Sequence, residues 1–420
     1  MSKLDKLLRE LCPDGVECVK LGTLCSLITK QTGFDYTNHI KARLLMEPAE
    51  NAVPYIQTKF FAGKNFNYQT DYYVPMDIVE QFPKITLDEK CILFSIVGAS
   101  IGNVGLFPGE RKCFLGGAIC VAKVLPQYDV DYVYYCVESH NVQHQIRRKT
   151  KGAGQATITV EDIREFEIPL PPIEIQSEIV RILDNFTNLT AELVKELTAR
   201  KTQYGYYRNK FLDFESSVSV KTIGDICDVV VGGEPPTDCI KGDVRDSTHI
   251  YPVWGNGKEV YGYSGTYKID RDAVVISSIG ANTGAVYYKE AFFTPIIRLK
   301  VILPKDNRIN ARFLFHALSG TTIKSKSSSV PNMNANEIKA IKIPVPPLDV
   351  QNRIVNVLDN FEKICSDLNI GLPAEIEARQ KQYEYYRDKL LTFAETGNTI
   401  LSRAEQSRAE QSRAEQSRAE

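Results

Sequence analysis

The hydrophobic pattern changes period along this chain, and the changes divide it. From Ile175 the apolar positions fall at alternating spacings of four and three, through Ile179, Ile182, Phe186, Leu189 and Leu193. Val350, Ile354, Val357, Phe361, Ile364 and Leu368 repeat the same stripe. This spacing predicts two long helices, each with the narrow seam of a coiled coil. Pro171-Pro172 and Pro346-Pro347 stand just before them and pre-set the chain for a helix start. A second, aromatic stripe follows in each: Tyr204, Tyr207, Phe211 and Phe214, then Tyr383, Tyr386, Leu390 and Phe393. About 40 residues at about 1.5 Å each make a rod of about 60 Å. Elsewhere short apolar runs predict strands over 90–97, 117–125, 260–263, 273–279 and 296–303, with helices over 130–149 and 310–318.

The two helices belong to one unit written twice. Ile168 to Phe186 matches Ile343 to Phe361 without a gap, and Ala199 to Arg208 matches Ala378 to Arg387. Between these blocks the second copy carries extra residues around Gly371-Leu-Pro373, which predicts a kink or short break there. Upstream echoes are weaker: Gly98-Ala-Ser-Ile-Gly102 with Gly280-Ala-Asn-Thr-Gly284, and Val19 to Cys25 with Val220 to Cys227. The Gly-x-x-x-Gly segments predict turns where the backbone passes close to a neighbouring strand or to a phosphate. Between these anchors the halves diverge. The expected fold class is α+β: two mixed, β-rich globules separated by two long helices that pair as an antiparallel coiled coil, with pseudo-twofold symmetry. The expected segments are 1–168, the first globule; 169–215, the central helix; 216–343, the second globule; 344–396, the C-terminal helix; and 397–420, a tail.

The repeated blocks, I-P-[LV]-P-P-[IL]-x-x-Q-x-x-I-V-x-x-L-D-N-F and R-x-x-Q-Y-x-Y-Y-R, resemble those of the specificity subunits of Type I restriction-modification enzymes, over nearly the whole chain. The resemblance implies two target recognition domains, each reading half of a bipartite double-stranded DNA site, with the helices as spacer. It also implies two modification (methyltransferase) subunits and, in the full complex, restriction subunits as partners. No cofactor is expected in this chain; S-adenosylmethionine, ATP and Mg belong on the partners. Divergent globules imply an asymmetric target. A coiled-coil scaffold without DNA readout is the alternative.

Charge sharpens this picture. The formal net charge is −1, from 51 basic and 52 acidic residues, so phosphate contacts must come from a local cluster or a partner. Arg147, Arg148, Lys149 and Lys151, followed by a Gly-rich exit to Gln155, form one such cluster. Lys324 and Lys326 occupy the matching place in the second unit. Lysine and arginine there suit phosphates, and Gln155 suits a base edge; a solvated charge run at a helix end is the competing reading.

Enzyme signatures are weak. The Pro-Pro pairs lack the flanks of an adenine methyltransferase loop. Asp88-Glu-Lys90 has a nuclease-like tripeptide without a partner acid, and His140 and His144 have zinc spacing without a third ligand. The ten cysteines include no CxxC pair and read as buried small hydrophobes of a reducing compartment, which with the lack of any long apolar run predicts a cytoplasmic protein without membrane contact. From Ser402 the tail repeats Ser-Arg-Ala-Glu-Gln, a period without an apolar seam, expected to be solvated or disordered. A tract of the pentamer AGCAG encodes that peptide in every frame, so phase variation at the gene is expected.

Overall fold

The structure, a computed structural model, describes residues 3–13, 15–33, 35–61, 63–64, 66–150, 156–214, 218–243, 245–279, 282–319, 333–366 and 371–392. The SRAEQ tail, Lys151, Gln155, Lys324, Lys326, Leu368 and Phe393 lie outside the described residues. The longer helices are α1 (Lys3–Leu11), α2 (Val130–Glu138), α3 (His140–Lys149), α4 (Ile173–Leu212), α5 (Ala311–Ser319), α6 (Leu348–Ser366) and α7 (Leu372–Leu390). The chain forms two compact units: unit 1 is Met1–Ala191 with Ala378–Glu420, and unit 2 is Glu192–Glu377. Each unit thus takes a globule, the start of the helix that follows it, and the end of the other copy's helix.

Unit 1 begins with β1 (Cys18–Lys20), β2 (Cys25–Lys30), β3 (Ala52–Ile56), β4 (Tyr73–Pro75) and β5 (Thr86–Leu87). It continues with β6 (Cys91–Ser95), β7 (Val104–Phe107), β8 (Cys113–Leu115), β9 (Ile119–Val124) and β10 (Glu167–Pro169). One sheet runs β2-β9-β6-β7, a second β4-β3-β8-β5, and β1 pairs with β10. The first sheet packs under α2, whose Tyr132 and Tyr135 are fully buried with Ile175, Ile179 and Leu183 of α4. Leu390 and Leu391, from the far end of the chain, join this core. The second sheet closes its own core around Ile56, Phe107, Phe114 and Leu115.

Unit 2 repeats the plan with β11 (Val220–Thr222), β12 (Cys227–Val231), β13 (Ile240–Lys241), β14 (Tyr251–Trp254) and β15 (Gly262–Ser264). Its remaining strands are β16 (Ala273–Ile276), β17 (Val286–Lys289), β18 (Thr294–Pro295), β19 (Lys300–Pro304) and β20 (Lys342–Pro344). The sheet orders are β12-β19-β16-β17 and β13-β15-β14-β18, with β11 on β20. Phe313 and Leu314 of α5 and Ile354, Val355 and Leu358 of α6 form the core beneath the first sheet. The register corresponds strand for strand: Ile92 faces Ala122 as Val274 faces Ile302.

Four expectations need correction. The helix expected over 130–149 is two helices, broken at extended Ser139 (φ −62, ψ 155), whose hydroxyl donates to the Cys136 carbonyl. The strand expected from Ile296 begins at Lys300, because Ile297 and Arg298 take positive φ in a turn. The helical stripe keeps its first two positions and then shifts by one: Ile175 and Ile179 are buried with Gln176 and Leu183, while Ile182 and Phe186 are half-buried. Leu189, Val357 and Ile364 are 39–41% exposed, because the first half of each helix presents its buried face to its own globule. Cys18 is exposed and Cys25 and Cys239 half-buried; the other cysteines are buried, and all are free thiols. No described helix is long and apolar enough to cross a membrane.

Candidate nucleic-acid interface

The residues that recur between the repeats fasten each helix to its globule. Gln176, 2% exposed, accepts from the Asp129 backbone N–H (3.1 Å) and donates to the Pro171 carbonyl (2.7 Å). Its counterpart Gln351 accepts from Asn310 N–H (2.9 Å) and donates to the Arg308 and Pro346 carbonyls (2.9 and 2.8 Å). Two turns on, Asp184 accepts from the Tyr135 hydroxyl (2.5 Å) and pairs with Lys64. Asp359 lies 2.7 Å from His316 Nε2 and 2.8 Å from Arg312 Nε. His316 Nδ1 lies 3.2 Å from the Tyr204 hydroxyl; because the Asp359 carboxylate at Nε2 only accepts, the neutral ring carries its proton on Nε2 and Nδ1 accepts from Tyr204.

Tyr204, Arg208, Tyr383 and Arg387 come from the other repeated block. Tyr383 donates to Glu138 (2.5 Å), and Arg387 Nη1 lies 3.6 Å from the same carboxylate. In unit 2, Arg208 reaches the Ser319 carbonyl at 3.4 Å. Phe186 stacks on Tyr386 (5.4 Å, 19°) in unit 1, and Phe361 on Tyr207 (5.7 Å, 24°) in unit 2. These are the same contact made by opposite copies of the repeat.

The Asp359 cluster is the one grouping of three metal-ligand types among the described residues, with His316 and Glu362. Arg312 fills it by bonding both carboxylates, so it works as a half-buried charge network over the buried His316. Burial pushes the His316 imidazole below its ordinary value and the Glu362 carboxyl above it. His140 and His144 stack at 6.5 Å, both exposed. Asp88 and Glu89 pair with Lys123 (3.1 and 2.9 Å).

Opposite the recurring residues, the surfaces diverge. In unit 1 the turn from Gly98 (φ 78) to Gly102 (φ 92) sits against α3, and Gln143 donates to the Gly102 carbonyl (3.0 Å). A Cβ on Gly102 would lie 3.2 Å from Gln143 Oε1, so the glycine permits a close helix approach. Arg147 and Arg148, in the last turn of α3, are exposed. Lys149 is half-buried, with its ammonium 3.4 Å from the Asp162 carbonyl and 6.0 Å from the Phe166 ring centre. Just past 151–155, Ala156 accepts from Gly98 N–H (3.0 Å) and Ile158 donates to Ile96 (3.1 Å). The same turn borders an open cleft of about 540 Å³ lined by Lys59, Asn67, Gln69, Ser100 and Asn103 among others. Nothing in the spacing marks these amides as neighbours; a parallel bridge between Gly63 and Gly105 brings the two segments together.

Unit 2 has the equivalent tie. Met333, just past 320–332, donates to the Ser278 carbonyl (3.0 Å), and Gly284 (φ 91) closes the turn on Ser277. Ser278 N–H donates to Asn256 Oδ1 (2.7 Å), and Asn256 Nδ2 donates to the Ile297 carbonyl. Lys289 lies over the Trp254 ring, and burial pushes its ammonium down to about 8.

This doubled architecture matches the family described as Type I restriction modification DNA specificity domain, over residues 13–200 and 215–378; the chain belongs to that family. It is similar to the specificity subunit of the EcoR124I/EcoR124II type I restriction enzyme of Escherichia coli, 36% identical over 258 residues, covering 55% of this chain and 63% of that protein. A putative type I specificity subunit of Mycoplasma pneumoniae is 31% identical over 241 residues, covering 56% and 65%. The matches thus span just under two thirds of these relatives. Among solved structures, the S subunit of a type I restriction-modification system from M. genitalium has the same fold, with TM-score 0.54 and 17% identity over 90% of this chain and 96% of that one. A chain from a study of complex assembly and conformational transition in the type I R-M system gives TM-score 0.59 and 15% identity over 91% and 98%.

Proposed function

We propose that this chain is the specificity subunit of a Type I restriction-modification complex: it binds DNA by sequence and performs no catalysis. Each recognition domain reads one half of an asymmetric bipartite site, and the paired helices set the gap between halves. Two modification subunits, carrying S-adenosylmethionine, methylate adenine where this chain places them. Restriction subunits, with ATP and Mg, cleave unmodified DNA. Its compartment is the cytoplasm, where such DNA lies.

The observation that carries this reading is the division of labour between residues. Gln176/Gln351, Asp184/Asp359, Tyr204/Tyr383 and Arg208/Arg387 recur and fasten helix to globule. The faces at 57–69, and at 254–256 and 296–300, do not recur. A protein that needs two different readers on one frame is expected to keep the first set and vary the second. Arg147, Arg148, Lys149 and Lys151 in one unit, and Lys324 and Lys326 in the other, then hold phosphates, with Gln155 at a base edge. The segments 1–168 and 216–343 are the readers; 169–215 and 344–396 are the spacer.

The test is genome-wide mapping of N6-methyladenine in cells expressing the chain with its modification subunit. One bipartite motif is expected, and exchanging residues 20–165 for another recognition domain should change one half of it only. An unchanged motif after the exchange would count against the reading and favour a scaffold built on the helices.

A further inference from the structure

The turn between β18 and β19 is strained in a way its counterpart is not. Ile297 and Arg298 have φ of 50 and 59, two consecutive residues in the left-handed region. Turns with positive φ at both central positions ordinarily take Asn or Gly, and a β-branched residue there is an outlier. The surroundings hold it in place. Ile297 N–H donates to Gly233 (2.9 Å), Arg298 N–H to Gly232 (3.0 Å) and Leu299 N–H to Ile296 (3.0 Å). Asn256 Nδ2 caps the Ile297 carbonyl; Ser278 Oγ and Lys300 Nζ reach the Arg298 carbonyl at 2.8 and 3.1 Å. With the backbone fixed, both side chains face outward: Ile297 is 48% exposed and Arg298 is exposed.

Strand register identifies the same turn in unit 1 as Gly116-Gly117-Ala118-Ile119, where Ile119 N–H donates to Gly116 (3.1 Å) as Leu299 does to Ile296. None of those residues has positive φ, and none carries a long polar side chain. The fold can therefore make this turn without strain. Strain that the surrounding contacts over-determine, and the fold does not require, points to use of the displayed side chains.

We propose that Arg298, held outward by this turn with Ile297 beside it, reads a guanine in the half-site bound by unit 2. The inference rests on the DNA-reading role proposed above. A guanidinium on a fixed backbone can donate two parallel hydrogen bonds to guanine O6 and N7, and Ile297 supplies apolar contact for a thymine methyl. The position fits, because Ser278 joins Arg298 through its hydroxyl and Met333 through its carbonyl. The turn is thereby tied to Met333, which in the sequence follows the stretch carrying Lys324 and Lys326. Burial first, and the Arg298 charge second, lower the proton affinity of the Lys300 ammonium.

The test uses the full chain in complex with its modification subunit, mapping methylated adenines for wild type, R298A, R298K and R298G. R298A, R298K and R298G should each lose preference for G at one position of one half-site, by about 5- to 150-fold, with the other half unchanged. R298G also suits the turn's backbone and should melt no lower than wild type, so its loss of readout is not a folding defect. An intact motif in R298A overturns the assignment and leaves DNA reading standing. Uniform loss at all sites in R298A, restored by R298K, makes Arg298 a phosphate contact and equally overturns it. A wild-type complex that methylates DNA without any bipartite motif overturns the DNA-reading role itself.

Discussion

Gln351 is polar yet has no exposed surface, and its amide is fully spoken for. It fills the corner between Pro346, which follows β20, and Asn310, which opens α5, accepting one backbone N–H and donating to two carbonyls. An apolar side chain of the same size would leave an N–H and two carbonyls without partners in a dry corner, each costing about 1–3 kcal/mol. We therefore expect Q351L to lower unit 2 stability by about 3 kcal/mol or more, measured by urea unfolding of the purified chain. The Gln176 counterpart should behave likewise in unit 1. A change below about 0.5 kcal/mol would mean that water replaces the amide there. His316 and Tyr135 show the complementary freedom: they occupy equivalent places, each bonded to the recurring aspartate, although one is imidazole and the other phenol. Asp184 and Asp359 need a donor, and either ring supplies it.

At the scale of elements, the units differ most at α1. This helix packs Leu4 and Leu8 into the unit 1 core, and Lys3 bonds Glu178 of α4 at 2.9 Å. Glu178 is 3% exposed; Arg181 and Lys3 hold its carboxyl down to about 2. A carboxyl depressed in the folded state contributes stability that is complete above its ordinary value near 4.5 and is lost as pH falls toward about 2. Lys3 and Arg181 are both largely exposed, so the contribution is about 1 kcal/mol or less. Protection factors for hydrogen exchange across Lys3–Leu11 should fall through that window, and E178Q should show the lowered protection already at pH 7. Exchange indifferent to both would show that α1 is held by its leucines alone. At the matching place in α6 stands Arg353, exposed.

The helices were the most legible elements, because the I-P-[LV]-P-P start and the recurring apolar stripe specify start, length and periphery together. Which residue of the stripe faces the globule was not legible. Ile182 and Leu183 are equally apolar, and only packing against α2 chooses Leu183. The break at Ser139 was hidden because two short helices in tandem keep a helical composition across it. The turn at Ile297-Arg298 was hidden for a firmer reason. Its residues prefer a strand, and hydrogen bonds from Asn256 and Ser278, distant in sequence, override that preference. Of the expected DNA contacts, Arg147, Arg148 and Lys149 were placed on a helix end as read, whereas the Asn67, Gln69 and Asn103 cleft depends on long-range pairing that periodicity does not encode.

For the whole molecule, the decisive fact is that unit 1 closes on residues from the far end of the chain. Tyr383, Leu390 and Leu391 are 5–8% exposed within its core. A stop codon at position 378 removes them without touching the first recognition domain's own sequence. Loss of two buried leucines alone costs about 4–10 kcal/mol if the site does not collapse, so unit 1 should then melt early or not fold. A stop at 402, which deletes only the SRAEQ repeats, should leave the melting curve unchanged. Differential scanning calorimetry distinguishes the two, and an unaltered unit 1 transition after the first truncation would show that the terminal helix is dispensable.

The same closure has a consequence for biosynthesis. At about 5–20 residues per second, the ribosome needs about 10–40 s to make the stretch between Ala191 and Ala378. Throughout that interval the first recognition domain has been made, with Glu138 and Tyr135 still waiting for Tyr383. The domain made first is thus the last to be completed, and a nascent chain that stalls late exposes unfinished core at its beginning.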